Sequence, residues 1–388
     1  MNLREAPWLT ADRAQAWCRV LALLSAIAVT AAVAFSPGGV DPQGKPLGTD
    51  FISFYAASAL ARHDPASAYL PALHGAAQAA ALPAMRYGYT TFLYPPPFLL
   101  LCLALSTLPY LAALGVWLGA SLAALAVPVR RLLPKSFGML PFVAFPGLLV
   151  NAGHGQNGCI TGALFAGYMV VGERFPLLGG ALLGALVIKP QLALAVPVAL
   201  FAARRWRAIA GAAASSIGLC LLSLLVLGPQ AWRGFLASGG AARTMLEQGQ
   251  NGFPKLQSTF AALRLAGAGI DTAWAAQATI AIAVIGVLIW TARRRPGTAA
   301  EGAAMAVAAL LVSPWSFDYD LALLAGPLAW VAAIATRTGF RPWEKIVLLT
   351  AYCLPLFSRA VADNTDIALG PFSLLALFCV VQRRAVGA

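Results

Sequence analysis

The sequence predicts an all-α integral membrane protein, and three observations carry that prediction. Of its 388 residues 60% are hydrophobic and 11% charged, whereas a soluble domain would be roughly a quarter charged. Mean hydropathy is +0.76, and long runs carry no charge at all. The basic residues behind the net charge of +13 fall in short clusters between those runs, the pattern of loops on the inner side of a bilayer. An ordinary soluble enzyme is excluded. The basic balance reports sidedness in the membrane instead of a nucleic-acid partner.

A spanning helix needs roughly 20 apolar residues, and fewer where Pro or Gly ends it over a cavity. On that rule residues 1–388 form a single polytopic domain of about twelve transmembrane helices. They fall near 16–36, 110–129, 137–150, 157–172, 175–188, 190–203, 207–227, 271–292, 299–313, 319–336, 344–358 and 366–381. The apolar stretch 95–108 precedes Pro109 and is read as partly inserted or re-entrant, because a further crossing would move Arg130, Arg131 and Lys135 away from the other basic clusters. With both termini cytoplasmic, the whole +13 lies on the inner segments and the outer face is neutral. The expected location is the inner membrane. Arg13 and Arg19 precede an apolar run long enough to span, so the first helix is an anchor and not a cleaved leader. The six cysteines show no paired spacing and read as small apolar fillers.

Two outer segments are long, 37–94 and 228–270. The first carries a pattern of its own. Thr49-Asp50-Phe51 leads into an Ala-rich helix, and Asp64-Pro65 is a helix-start signal before a second one. Both stretches look mildly amphipathic and too short to span, and they are expected to lie along the membrane surface. Other polar breaks fall on the same side: Tyr94-Pro95-Pro96-Pro97, Gly153-His154-Gly155-Gln156-Asn157, Lys189-Pro190-Gln191, residues 248–257, and Ser313-Pro314 through Asp318-Tyr319-Asp320. Ionisable groups at membrane depth are costly and generally face a cavity. Their convergence at one boundary is the main sign of a site. Lys189 ends a wholly apolar run and is broken off by Pro190; it is read either as a phosphate ligand or as a snorkelling lysine.

The order Asp50-Phe51, Tyr94-Pro95-Pro96, Gly155-Gln156, Lys189-Pro190 and Ser313-Pro314 with Tyr319-Asp320 resembles the bacterial polyprenol-phosphate-mannose-dependent mannosyltransferases, glycosyltransferases of the GT-C class. The likeness runs from about residue 16 to residue 336. It implies a GT-C-type multi-helix bundle with membrane-parallel helices in the first outer loop and a catalytic acid at that loop's helix start, matched here by Asp50. It implies a polyprenyl-phosphate sugar as donor, a lipid or glycan acceptor, and inversion at the transferred sugar. No cofactor is needed for such a transfer, and the carboxylates are too scattered in sequence to argue for a metal.

The chemistry agrees with that implication. A sugar hydroxyl is a poor nucleophile, and a carboxylate within hydrogen-bond reach takes its proton during attack. Polyprenyl phosphate leaves readily and needs charge stabilisation, for which Lys189, His154, Arg62 and Arg86 are candidates. Asp50 also reads as a plain helix N-cap. Asp318 and Asp320 are alternative bases or acceptor ligands. Gln156 and Asn157 either bind sugar hydroxyls or satisfy backbone freed at a helix end. Tyr94, Gln191, Trp315 and Tyr319 are further candidates for sugar contact, though aromatics at this depth also serve as interface anchors. Two other readings compete: a surface-glycan polymerase or ligase with a pyrophosphate-linked donor, and a secondary transporter. Transporters commonly show two matching halves, and none is visible here.

Overall fold

In the computed structural model, which describes residues 2–386, the chain is all-helical, and among those residues extended pairing is limited to two isolated bridges, Val40 with Pro46 and Leu256 with Phe317. Six helical runs are long and apolar enough to cross a membrane, and shorter apolar helices lie among them. The first, α1 (Ala11–Ala34), starts where Thr10 accepts a hydrogen bond from the Arg13 amide, and Asp12 sits in its first turn. Its 24 residues reach about 36 Å at 1.5 Å each. Cys18 is its one buried residue, so nearly all of it faces outward.

The segment after α1 folds into α2 (Phe51–Ala61), α3 (Pro71–Ala81) and α4 (Pro96–Cys102). Expected as a surface helix, α2 is instead buried along most of its length, because Phe51, Ile52, Phe54, Ala56 and Ala57 leave it no polar face. The next helix, α3, is inverted. Its inward residues are His74 and Gln78, four apart, and Leu73 points out. Burying two polar side chains demands partners: His74 Nε2 meets the Ser53 carbonyl at 2.9 Å, and the Gln78 amide donates to the Thr90 carbonyl at 2.6 Å. The seven-residue α4 is about 10 Å long; with the turn Leu105–Thr107 it forms a short apolar helical stretch that packs inward through Phe98, Leu99, Cys102 and Leu105.

Helix α5 (Tyr110–Leu132) is long and apolar enough to cross and ends at Arg130 and Arg131. The helices that follow are short: α6 (Leu140–Val143), α7 (Pro146–His154), α8 (Gly158–Val171), α9 (Pro176–Gly184) and α10 (Val196–Ala202). Pro146, Pro176 and Pro197 open three of them, a first-turn position where the missing N–H costs nothing. All twelve expected crossings have helical counterparts in the structure. The 42-residue α11 (Trp206–Glu247) overruns its expected end: it bends at Gly228, whose φ is +75°, and at Pro229, then continues. Much of the second outer segment is therefore helix and not loop. It closes through α12 (Thr259–Leu265), and α13 (Ile270–Arg294), again long and apolar enough to cross, follows.

At the centre stands α14 (Ala299–Val312), buried on every side, as a helix apolar nearly all round must be; its one charged residue, Glu301, accepts from the Tyr168 hydroxyl and the Gly297 amide. A 3₁₀ run, Asp318–Leu324, feeds α15 (Ala325–Thr338); α16 (Glu344–Thr365) and α17 (Gly370–Val386) complete the bundle. Small residues set the tightest crossing. A Cβ on Gly180 would lie 1.9 Å from the Ala208 carbonyl oxygen, and one on Gly184 would lie 2.2 Å from that of Ala212. Two helices meeting in lipid gain mainly from such close approach. Gly180→Val forces α9 and α11 apart and is expected to cost about 1–3 kcal/mol as overpacking, read as a lowered unfolding temperature of the detergent-purified protein; an unchanged temperature refutes that contact as a stability determinant.

Candidate active site

Three helix breaks and one helix start meet at a single end of the bundle. The first break follows α7, where Gly155 adopts a left-handed conformation (φ +66°), favourable for Gly and strained for most others. Space imposes the same choice, since a Cβ there would come within 2.5 Å of the Phe51 Cβ. Trp117 Nε1 donates to the Gly155 carbonyl at 3.0 Å, and the Asp50 amide donates to the His154 carbonyl at 2.9 Å. The start of α2 is thus stitched directly to the end of α7.

That stitching decides what Asp50 is. Its side chain makes no capping hydrogen bond to α2. The carboxylate turns instead toward the 153–157 break, where Gln156 Nε2 donates to Oδ2 at 3.0 Å and His154 Nδ1 stands 3.6 Å from the same oxygen. Thr49 Oγ1 lies 3.0 Å from that Nδ1. Tyr94 donates to Gln156 Oε1 at 2.8 Å, fixing the amide so that its NH2 group faces Asp50. The Asp50 side chain keeps 22% of its surface exposed. Burial pushes its carboxyl upward, but the hydrogen bonds and charge of His154, the Gln156 amide and the field of Lys255 outweigh burial and hold it below the usual carboxylate range.

The second break carries Lys189, which is 1% exposed. Its Nζ lies 2.5 Å from Asp320 Oδ1 and 3.2 Å from Asn157 Oδ1, and 4.8 Å above the Tyr319 ring. A buried ammonium needs this much compensation. It is not snorkelling to a surface: it is buried and ion-paired. The third break is the 3₁₀ run after Phe317. Asp320 accepts from the Phe317 amide through Oδ2, and Asp318 accepts from the Tyr319 amide at 2.8 Å. Asp318 Oδ1 is also 3.7 Å from His154 Nε2, so the imidazole stands between Asp318 and Asp50. Gly158 permits this convergence, because a Cβ there would lie 2.3 Å from the Tyr319 carbonyl oxygen.

Of the residues singled out from sequence, the fold gathers Asp50, Tyr94, His154, Gln156, Asn157, Lys189, Asp318, Tyr319 and Asp320. Four others stay outside this network. Arg62 is exposed at the far end of α2, about 18 Å along the helix from Asp50. Arg86 is exposed, with its backbone amide on the Gly44 carbonyl. Gln191 is half-buried in the turn Pro190–Leu192. Trp315 packs with Phe317 and the cluster around Leu246 and Phe260.

Lys255 is a residue that the sequence pattern does not single out, being one cation in a polar stretch. The bridge between Leu256 and Phe317 is antiparallel, and the Gln257 amide donates to the Ser316 carbonyl at 2.7 Å. That register sets Lys255 across from Asp318. Its charge acts on Asp50 and Asp318 alike. Trp117 also escapes notice in sequence, as an aromatic within a spanning helix; its indole N–H holds the Gly155 turn.

The arrangement can do acid–base and anion chemistry: a partly exposed, ionised carboxylate, a histidine between two acids, a buried ammonium, and a cation on an adjoining loop. No curated protein and no solved structure matches the chain. Residues 92–314 match Glycosyltransferase family 87, a span that includes the His154–Asn157 break, Lys189 and Lys255 but ends before Asp318 and begins after Asp50. With more than half its length matched, the chain belongs to Glycosyltransferase family 87 and is a membrane glycosyltransferase.

Proposed function

We propose that the protein transfers a hexose, mannose by the resemblance of its motifs, from a polyprenyl-phosphate donor to a lipid or glycan acceptor at the outer face of the inner membrane. The observation that carries this reading is the orientation of Asp50: it begins α2 without capping it, and is held by Gln156 beside His154 while part of its surface stays open. A carboxylate kept ionised and accessible is suited to take the proton of an attacking acceptor hydroxyl. Attack on the sugar's anomeric carbon forms the new C–O bond as the bond to the phosphate oxygen breaks, with inversion. The phosphate leaves as an anion and needs no proton.

In this reading Tyr94 and Gln156 orient the base, and His154 holds it from the other side. Lys189 and Asn157 face the developing phosphate charge, with Asp320 fixing the ammonium until the donor arrives. Asp318, Tyr319, Gln191 and Trp315 are assigned to the sugar or acceptor. Arg62, exposed at the far end of α2, and Arg86, exposed and outside the network around Asp50, are not given a part in phosphate binding. Both termini are taken as cytoplasmic, from the distribution of basic residues.

Asp50→Asn removes the proton acceptor and is expected to lower turnover by about 10²- to 10⁴-fold while donor affinity stays within twofold of wild type, measured as transfer from synthetic polyprenyl phosphate mannose in membranes; near-normal turnover rules Asp50 out as base. The depressed Asp50 pKa fixes the sign of the pH response. The competent ionised form persists as pH falls and is lost on passing the folded-state value, so the acid limb of kcat/KM lies on the acid side of an ordinary aspartate's titration. Gln156→Leu removes a stabilising donor and moves that limb to higher pH; an unmoved limb removes Gln156 from control of the base. Lys189→Met strands Asp320 and is expected to cost about 3–5 kcal/mol of stability. The double variant Lys189→Met with Asp320→Leu recovers most of that stability yet keeps a raised KM for donor. A restored donor KM would show that the pair is structural alone.

A further inference from the structure

The end of the bundle opposite the site holds a cleft that the transfer reaction does not use. Its volume is about 640 Å³, within the range of small-molecule sites. Its walls come from α1, α5, the 137–145 stretch, α15 and α16, with Trp17, Leu21, Phe145, Leu328, Ala329 and Leu349 giving an almost wholly apolar lining. It lies about 18 Å along α5 from the active-site contact of Trp117, the distance from residue 117 to residue 129. Beneath the cleft Tyr352 donates to the Pro141 carbonyl at 2.8 Å and packs against Phe145, so its floor is built. Trp17 on the α1 wall is 64% exposed, and the cleft opens past it.

Two cations line the same cleft, Arg13 and Lys345. Arg13 donates to the Trp8 carbonyl, and Lys345 donates to the carbonyls of Ala6 and Leu9. Those partners are neutral. Among the described residues neither cation pairs with a carboxylate, and neighbouring Glu344 is taken up by a buried pair with Arg384. The cleft thus combines an apolar slot with two positive charges that carbonyls and, for Lys345, the Phe340 ring meet but no carboxylate neutralises, beside a helix that makes little contact of its own: only Cys18 is buried in α1.

We propose that this cleft binds an anionic glycerophospholipid of the bilayer, an acyl chain lying between α1 and α15–α16 and the headgroup phosphate resting on Arg13 and Lys345. Basic pockets between spanning helices recognise anionic headgroups by charge, and an apolar slot takes a chain by burial. A neutral lipid fills the slot but leaves both cations unanswered. The bound lipid ties α1 to the rest of the bundle and stabilises the folded chain by mass action.

The test uses the full-length, detergent-purified protein and native mass spectrometry with phosphatidylglycerol, phosphatidylcholine and polyprenyl phosphate as separate probes, together with thermal unfolding. Phosphatidylglycerol is expected to bind roughly thirty-fold tighter than phosphatidylcholine, the effect of two basic groups at one headgroup, and to raise the unfolding temperature. Ala329→Trp fills the slot and abolishes both effects. Should that variant fail to fold, Arg13→Gln with Lys345→Gln reads the same point by erasing the preference for phosphatidylglycerol. Equal retention of the two phospholipids overturns the proposal. So does binding of phosphatidylglycerol that neither variant alters, or tighter binding of polyprenyl phosphate than of phosphatidylglycerol at this cleft.

Discussion

The buried pair between Lys189 and Asp320 is the contact on which the site-bearing end of the fold depends. One ammonium, with Asn157 as a third member, joins three places where a helix stops partway through the bundle. Broken helices expose backbone groups that lipid cannot satisfy, so they survive only where protein surrounds them. The pair supplies part of that surrounding, and its cost in desolvation is met because both charges are matched at short range and Asp320 also accepts from the Phe317 amide. A charge that was merely solvated could sit anywhere along the helix. A charge that must be matched fixes the register of all three breaks.

From that register the rest of the site follows. Holding the 318–320 run against the end of α7 sets His154 between Asp318 and Asp50, and the close approaches at Gly155 and Gly158 leave room for it. The aromatic residues behind the carboxylate have a supporting part. Phe54 contacts Phe51, Phe92, Tyr94, Phe98 and Trp117, so the residue that orients Gln156 and the one that holds the Gly155 turn share one packed cluster. Rigid packing of this kind is what keeps a catalytic carboxylate aimed when its own helix offers it an alternative role as a cap.

The two ends of the bundle are built on different terms. At the site end the buried charges are paired or hydrogen-bonded and the breaks are dense with Pro and Gly. At the other end the cations stand in clusters, and the buried Arg384–Glu344 pair, with Thr338 and the Gly339 carbonyl, pins α15, α16 and α17 together. The division of charge visible in the sequence is therefore also a division of labour: one end encloses polar chemistry, and the other presents positive charge.

The sequence by itself determined the all-helical membrane class, the places of the apolar helices and the identity of the polar breaks, because hydropathy, Pro and Gly act locally and do not wait for a partner. Nine of the residues it singled out lie together for the same reason: polar groups in an apolar chain have few places to go. Tertiary structure decided the rest. The direction of the Asp50 side chain, toward Gln156 and away from its own helix, depends on a residue 106 positions later. The burial of α2, the inward polar face of α3, the continuation of α11 past Gly228 and the placing of Lys255 opposite Asp318 all rest on neighbours distant in sequence. Local pattern states which side chains are costly to bury; only packing states which partner offsets that cost.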